Sequence, residues 1–415
     1  MKKFITQLAL SLCLFVNANA IDLFVDQAAI PGTVTNHYNT IVAAINASSN
    51  GDKIFVKEGA YTGNLHIMHS LSIIPLLENT KITVFGIIVI YGTPDMETTL
   101  IGINSVNSIS STLGTQTYSN KATVNIIECE FSSASFNLWD NYNFVCIKCK
   151  FTGSVGFKFG SIINSNMVSL FIYDEVDPVY PDTTNTIMII SDTIANQFIY
   201  SNDNYKFKIA NNSFVFKDLY PLPYQEKSLS FKKWNTYSGI TNYFINNEDL
   251  DIQALYIDIP CVNVPYYNLD FSNNRFESTI IRSRTGSIYD GGNTGYTTFG
   301  INTCFPNQNT PGFFKWTYNG ISPGGSGTPG SNLVFINIPG TDNIVDAGNP
   351  APEYTDIDLT RNDRGRLGGP YSILNYNPTL NPSNGKAFIY DLEIPTNLQP
   401  TTQPINIKAK AYHRN

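Results

Sequence analysis

Two hexapeptides twenty residues apart share a hydrophobic frame and reverse their charges: "IIECEF" at 126–131 and "CIKCKF" at 146–151. Read as strands, alternation puts Ile127, Cys129 and Phe131 on one face and Glu128 and Glu130 on the other. The second copy repeats this with Ile147, Cys149 and Phe151 on one face and Lys148 and Lys150 on the other. Stacked in register, Glu128 meets Lys148 and Glu130 meets Lys150, as neighbouring strands of a parallel solenoid would place them. Similar runs recur. "FKIANNSFVF" (207–216) and "LDFSNNRFES" (269–278) put Asn-Asn just before Phe214 and Phe276, and "IMIISDTI" ends at Ile194, twenty residues before Phe214. Asn at a repeated corner can stack its amides into a hydrogen-bonded ladder. A period of about 20–24 residues without helical patterning favours a β-helix over leucine-rich or propeller repeats.

Before these repeats, Ile41, Ala44 and Ile45 lie at helical spacing, Gly51-Asp52 stops the helix, and the strand-like "KIFVKEGAY" follows. A short amphipathic helix there would cap the first repeat. Short β-rich runs continue through "LSIIP", "KITVFGIIVIYG", "TTLIGI" and "TVNIIECEF". The regularity lapses at 173–186 and 217–241, which are rich in Pro and Tyr and read as insertions emerging from turns. Residues 319–331 read as a loop. Residues 371–415 form a short β-rich tail with two strand-like runs.

Composition narrows the class. Of 415 residues, 14% are charged, against about a quarter in an ordinary soluble domain. Net charge is −7 and pI about 5.1, and no basic patch stands out, which argues against nucleic acid as a partner. At the start, Lys2 and Lys3 precede the apolar "LALSLCLFV" and the small residues Ala18, Asn19 and Ala20. That is the pattern of a secretory signal peptide over 1–20. The expected location is therefore outside the cell or on its surface, with no transmembrane segment in the mature chain. Of the six cysteines, Cys13 lies in this leader. The odd remainder (Cys129, Cys146, Cys149, Cys261 and Cys304) leaves at least one unpaired or joined to another chain. Cys146-x-x-Cys149 has no second pair or nearby His to complete a zinc site, and core cysteine is the simpler reading of Cys129 and Cys149.

The helix-Gly-Asp-strand entry from Ile41 to Tyr61 resembles the N-terminal cap of secreted right-handed parallel β-helix proteins of the pectate-lyase-like superfamily. "IVDAGNPAPEYTDIDLTRNDRGRLGGP" (344–370) is similar to the closing motif of such proteins from Bacteroidetes-type bacteria. The resemblance implies an all-β fold: one right-handed parallel β-helix over 21–370 with a short N-terminal capping helix. It does not imply one activity, because the superfamily spans lyases, hydrolases, epimerases, adhesins and proteins without known chemistry.

Candidate chemistry is sparse. The Asn-Thr-Asp, Asp-Asp, Gly-His-Gly and Arg-Ile-Lys motifs of galacturonan hydrolases are missing, as is the Trp-Ile-Asp-His of pectate lyases. His37, His66, His69 and His413 read as surface residues. Arg282 and Arg284 alternate onto one strand face, where they could bind a sugar carboxylate or supply a lyase base. Tyr180, Tyr220, Tyr224, Tyr266 and Tyr267 are candidates for stacking on sugar rings, or for packing their loops on the repeat flank. Asp356, Asp358 and Asp363 offer oxygen ligands to Ca2+, the one candidate cofactor, but without the Gly and helical flanks of an EF-hand. Capping turns and pairing with Arg361, Arg364 and Arg366 is the competing reading. These features favour a non-catalytic extracellular protein that binds polysaccharide or another cell-surface component. The alternative is a polysaccharide lyase or hydrolase acting on acidic glycans.

Overall fold

The computed structural model describes residues 20–77, 80–107, 109–112, 122–132, 135–173, 182–202, 205–215, 229–234, 241–249, 268–272, 274–276, 313–317, 333–336, 345–356, 359–363, 365–372, 388–393 and 408–412. The described chain is all-β apart from one α-helix, Ile41–Ala47, and one short 3₁₀ turn. Twenty-eight strands join one sheet, in which every strand pairing is parallel. A separate antiparallel hairpin links Phe388–Glu393 to Lys408–Tyr412.

The pairings sort into three ladders, each strand bonding to the equivalent strand of the next repeat. The first ladder runs from Asp22–Val25 through Asp52–Val56, Leu71–Pro75 and Ala122–Ile127 onward to Leu333–Ile336. The second contains short strands, from Gly59–Thr62 to Arg275–Phe276. The third runs from Leu65–Ile67 to Leu229–Trp234. Parallel pairing through three successive ladders is consistent with a β-helix. Strand structure also reaches into the segments read as insertions, at Asp182–Ile190 and Leu229–Trp234.

Alternation along the first ladder gives an inward row of aliphatic and aromatic residues, with one cysteine among them. Ile54, Ile73, Leu100, Ile126, Cys146, Ile162, Ile189, Ile209 and Phe244 stack in register, all fully buried. The second ladder adds Phe131 and Phe151, whose rings stack at 5.4 Å and 13°. Phe214 is buried too, facing Phe244 at 6.0 Å. Three of the four phenylalanines singled out by their spacing thus point inward; the side chain of Phe276 lies outside the described residues. The route from Phe151 to Phe214 passes Met167 and Ile194, so it takes the three repeats that the spacing implied. Residues from all three ladders form one hydrophobic cluster.

The helix follows the sequence closely. Thr40 caps it, its hydroxyl accepting the Ala43 N–H at 3.1 Å, and it buries Ile41, Ala44 and Ile45. Gly51 ends the connection in the left-handed region, at φ +90, where a Cβ would be strained. The Asp52 carboxylate then accepts the N–H groups of Ile21 and Ser49, tying the first repeat to the helix exit.

One expectation needs correction. The hexapeptides are not single strands. Glu128 and Lys148 adopt left-handed φ values of 54° and 53°, so the chain turns a corner at each. Ile126, Cys129 and Phe131 face the core, whereas Ile127 belongs to a second apolar cluster on the opposite side. The strict alternation assumed for these six residues cannot survive a corner, which shifts the side-chain phase. Glu130 and Lys150 are in register and paired at 2.7 Å.

Candidate functional site

The corners are the most regular feature of the molecule. Gly102, Glu128, Lys148, Asn164, Ser191, Asn211 and Asn246 all have φ between 50° and 63°. Each lies between an outward aliphatic residue and an inward one, which from Cys129 onward is a thiol or a small polar side chain. The outward row is Ile101, Ile127, Ile147, Ile163, Ile190, Ala210 and Ile245, in register from repeat to repeat. The inward row is Ile103, Cys129, Cys149, Ser165, Asp192, Asn212 and Asn247, extended by Asn274. Left-handed backbone costs about 1–2 kcal/mol for most residues and less for Asn. At the corners from Gly102 to Asn211 hydrogen bonding offsets it: the corner N–H donates to the outward residue's carbonyl in the next repeat, as from Glu128 to Ile147 at 2.8 Å.

Beyond the corner, the short second ladder presents one outward side chain per repeat. Thr83, Asn104, Glu130, Lys150, Asn166 and Thr193 stand in one register-matched row. All six are at least partly exposed. At the strand spacing of about 4.8 Å, six rungs present roughly 24 Å of evenly spaced hydroxyl, amide and charged groups. The only two charges in the row neutralise each other, Lys150 Nζ lying 2.7 Å from Glu130 Oε1. The row then passes under cover: Ser213 and Glu248 occupy the next positions and are buried, and Arg366 Nε lies 3.5 Å from Glu248 Oε2.

That cover is the segment 345–372, which lies on the outer side of the corners. Ser191 Oγ donates to the Tyr371 carbonyl at 2.7 Å, and Lys208 Nζ donates to the Tyr371 hydroxyl at 2.6 Å. Asn211 Nδ2 donates to the Arg366 carbonyl at 3.1 Å and also reaches that of Gly368. Asn246 Nδ2 donates to Asn362 Oδ1 at 2.8 Å and to the Asp363 carbonyl at 2.9 Å. Tyr354, Ala351 and Tyr371 pack on the outward apolar row.

Two of the candidate calcium ligands sit within this segment. Asp356 Oδ2 accepts the Asp363 N–H at 3.0 Å, and Oδ1 accepts that of Gly369. Asp363 Oδ1 accepts the Asp346 N–H at 2.7 Å. These carboxylates hold the turns of the segment together. Asp358 lies outside the described residues, and among the described residues no three His, Cys, Asp or Glu gather to hold a metal ion. Arg282, Arg284, Tyr180, Tyr220, Tyr224, Tyr266 and Tyr267 also lie outside the described residues.

The described thiols are sealed away. Cys129, Cys146 and Cys149 are free and buried. Burial pushes Cys129 and Cys149 well above the ordinary thiol range, the opposite of what a nucleophilic cysteine needs. Aromatic side chains do gather elsewhere on outward positions. Phe24, His37 and Phe55 stack at 5.2 and 5.7 Å, and His66 stacks on Tyr91 at 5.9 Å. None of these pairs was read from the sequence, because their partners are remote in the chain and only the register brings them together. The polar row was half legible, through the charge reversal of Glu130 and Lys150. No described helix is long and apolar enough to cross a membrane. No family model, curated protein or solved structure matches the chain.

Proposed function

We propose that this chain is a secreted or cell-surface right-handed parallel β-helix protein, capped by its first helix, that binds an extracellular glycan without cleaving it. The observation that carries the reading is the open row from Thr83 to Thr193. A linear polymer laid across the strands meets a hydrogen-bonding side chain at each step, so a repetitive ligand gains from a repetitive surface. The ion pair within the row leaves it without net charge, which suits a polyhydroxyl chain better than a strongly acidic one. Secretion rests on the leader pattern of residues 1–20, and kinship with the pectate-lyase-like superfamily on the entry and closing motifs. Both are readings of the sequence.

The test is a glycan array run beside reducing-end and unsaturated-product assays. Binding that falls at least tenfold in Asn104→Ala/Asn166→Ala, with melting unchanged and no product formed, supports the proposal. Binding indifferent to those changes removes the row from the site. Steady unsaturated uronate formation, abolished by Arg282→Ala or Arg284→Ala, would replace the binding protein with a lyase.

A further inference from the structure

Where the inward residue is asparagine, it reaches back to the preceding repeat and bonds two of its backbone groups. Asn212 accepts the Asp192 N–H through Oδ1 at 2.9 Å and donates Nδ2 to the Ile189 carbonyl at 2.9 Å. Asn247 does the same to the Asn212 N–H and the Ile209 carbonyl, both at 3.0 Å. Asn274 repeats it on the Asn247 N–H at 2.8 Å and the Phe244 carbonyl at 3.1 Å. In every case the carbonyl belongs to the residue three before the N–H. Two upstream thiols follow the donor half of the rule: Cys149 Sγ points to the Ile126 carbonyl at 3.4 Å, and Cys129 Sγ to that of Leu100 at 3.5 Å.

Asp192 holds the same position one repeat before Asn212. Its Oδ1 accepts the Ser165 N–H at 2.6 Å, which fills the acceptor half. The donor half belongs to the Ile162 carbonyl, because Ile162 is the register partner of Cys146 and Ile189 in this row. Oδ2 is buried and has no donor, and the residue is 1% exposed. An ionised carboxylate only accepts, so it would set Oδ2 against a carbonyl oxygen in a dry interior, where an unpaired charge is very costly. We propose that Asp192 is a neutral carboxylic acid in the folded protein, standing in for asparagine and donating its O–H to the Ile162 carbonyl, so that one proton completes this repeat.

The surroundings agree. On one side lies the Ser165 hydroxyl, with the Cys146 thiol 3.5 Å beyond it and the Cys149 N–H bonded to the same oxygen. On the other side lie the amides of Asn212 and Asn247. Lys208 and Glu248 occupy outward positions and are engaged by Tyr371 and Arg366. Burial pushes the carboxyl well above the usual carboxylate range, outweighing the backbone N–H groups of Ser165 and Ile190, which pull the other way, and no ionised side chain contributes. The folded state therefore keeps a proton that the unfolded chain releases. Stability from this group is complete below the unfolded carboxylate range, about pH 4. It is lost as pH rises toward the folded value, by up to about tenfold in the unfolding constant per pH unit.

Infrared spectra of the full chain in D2O at neutral pH, combined with melting from acid to neutral pH, test this. A protonated-carboxyl stretch present in the wild type and absent from Asp192→Asn is expected. Asp192→Asn should melt higher than wild type at neutral pH, with the gap closing in acid. No such band in the folded wild type, or an Asp192→Asn protein equally destabilised at every pH, overturns the proposal. An Asp192→Asn chain that fails to fold overturns it as well, since asparagine is the isostere the site calls for. Asp192→Ser, which cannot span both groups, should be less stable than Asp192→Asn at neutral pH; the reverse order also refutes it.

Discussion

Asn212→Ala removes the best-connected side chain of the inner corner row. Asn212 is fully buried, and its amide satisfies the Asp192 N–H and the Ile189 carbonyl while also bonding to Asn247 Oδ1 at 3.0 Å. Truncation strands two backbone groups where water does not reach, at about 1–3 kcal/mol each. The expected loss is therefore roughly 2–6 kcal/mol, before any cost of the small void. A control exists on the surface: Asn125 bonds Glu97 and Thr99 in a position water can replace, and Asn125→Ala should stay within about 0.5 kcal/mol. Denaturant unfolding followed by circular dichroism gives the global value. Hydrogen exchange read by mass spectrometry over 187–194 gives the local one, and the Asp192 amide should lose its protection first. If Asn212→Ala matches Asn125→Ala in both readouts, the inner row is decoration and the strands alone hold the repeats together.

Four other outcomes follow from the same geometry. Phe131→Ala should cost about 3–5 kcal/mol in denaturant unfolding, since its ring is buried and stacked on Phe151. Lys150→Ala should change stability by about 0–1 kcal/mol, an effect that fades with added salt because the Glu130 pair is solvent-exposed. Cys129 and Cys149 should resist alkylation in the native chain at neutral pH and react on unfolding, because burial keeps both thiols protonated; native alkylation as fast as that of a model thiol contradicts this. Tyr371→Ala removes the hydroxyl partner of Lys208 and the ring 4.6 Å from its ammonium; limited proteolysis should then cut within 345–372 while the parallel sheet persists.

Much of the fold was written in the chain at the level of alternation. The helix at 41–47, the inward phenylalanines and the Glu130–Lys150 pairing all follow from local patterns whose partners lie one repeat away. The corner was harder to see. "IEC", "IKC", "INS", "ISD", "ANN" and "INN" are one structural tripeptide, yet only the two Cys copies and the two Asn-Asn copies look alike. What unites the copies is backbone: an aliphatic residue outside, a left-handed residue, and a small polar or thiol side chain inside. Their separations vary through 16, 27, 20 and 35 residues, because turns between ladders absorb insertions without disturbing the strands. A fixed-period search blurs such a signal. The candidate site was less legible still. Thr83, Asn104, Asn166 and Thr193 are ordinary polar residues in sequence, and only the register lines them up.

The corner also explains why its residues change character along the chain. Glu128 and Lys148 occupy it in the upstream repeats, whereas Ser191, Asn211 and Asn246 occupy it where segment 345–372 docks. Asparagine meets both demands there: it tolerates φ near 55–60° at lower cost than Glu or Lys, and its outward amide donates to the carbonyls of the docked segment. A lysine at 211 or 246 would supply a charge with no room for its hydration, and a glutamate would set oxygen against carbonyl oxygen. Docking at these corners also covers Ser213 and Glu248, which continue the polar row. The segment's hold begins at Ser191, whose hydroxyl donates to the Tyr371 carbonyl, and the polar row is buried from the following repeat, at Ser213 and Glu248.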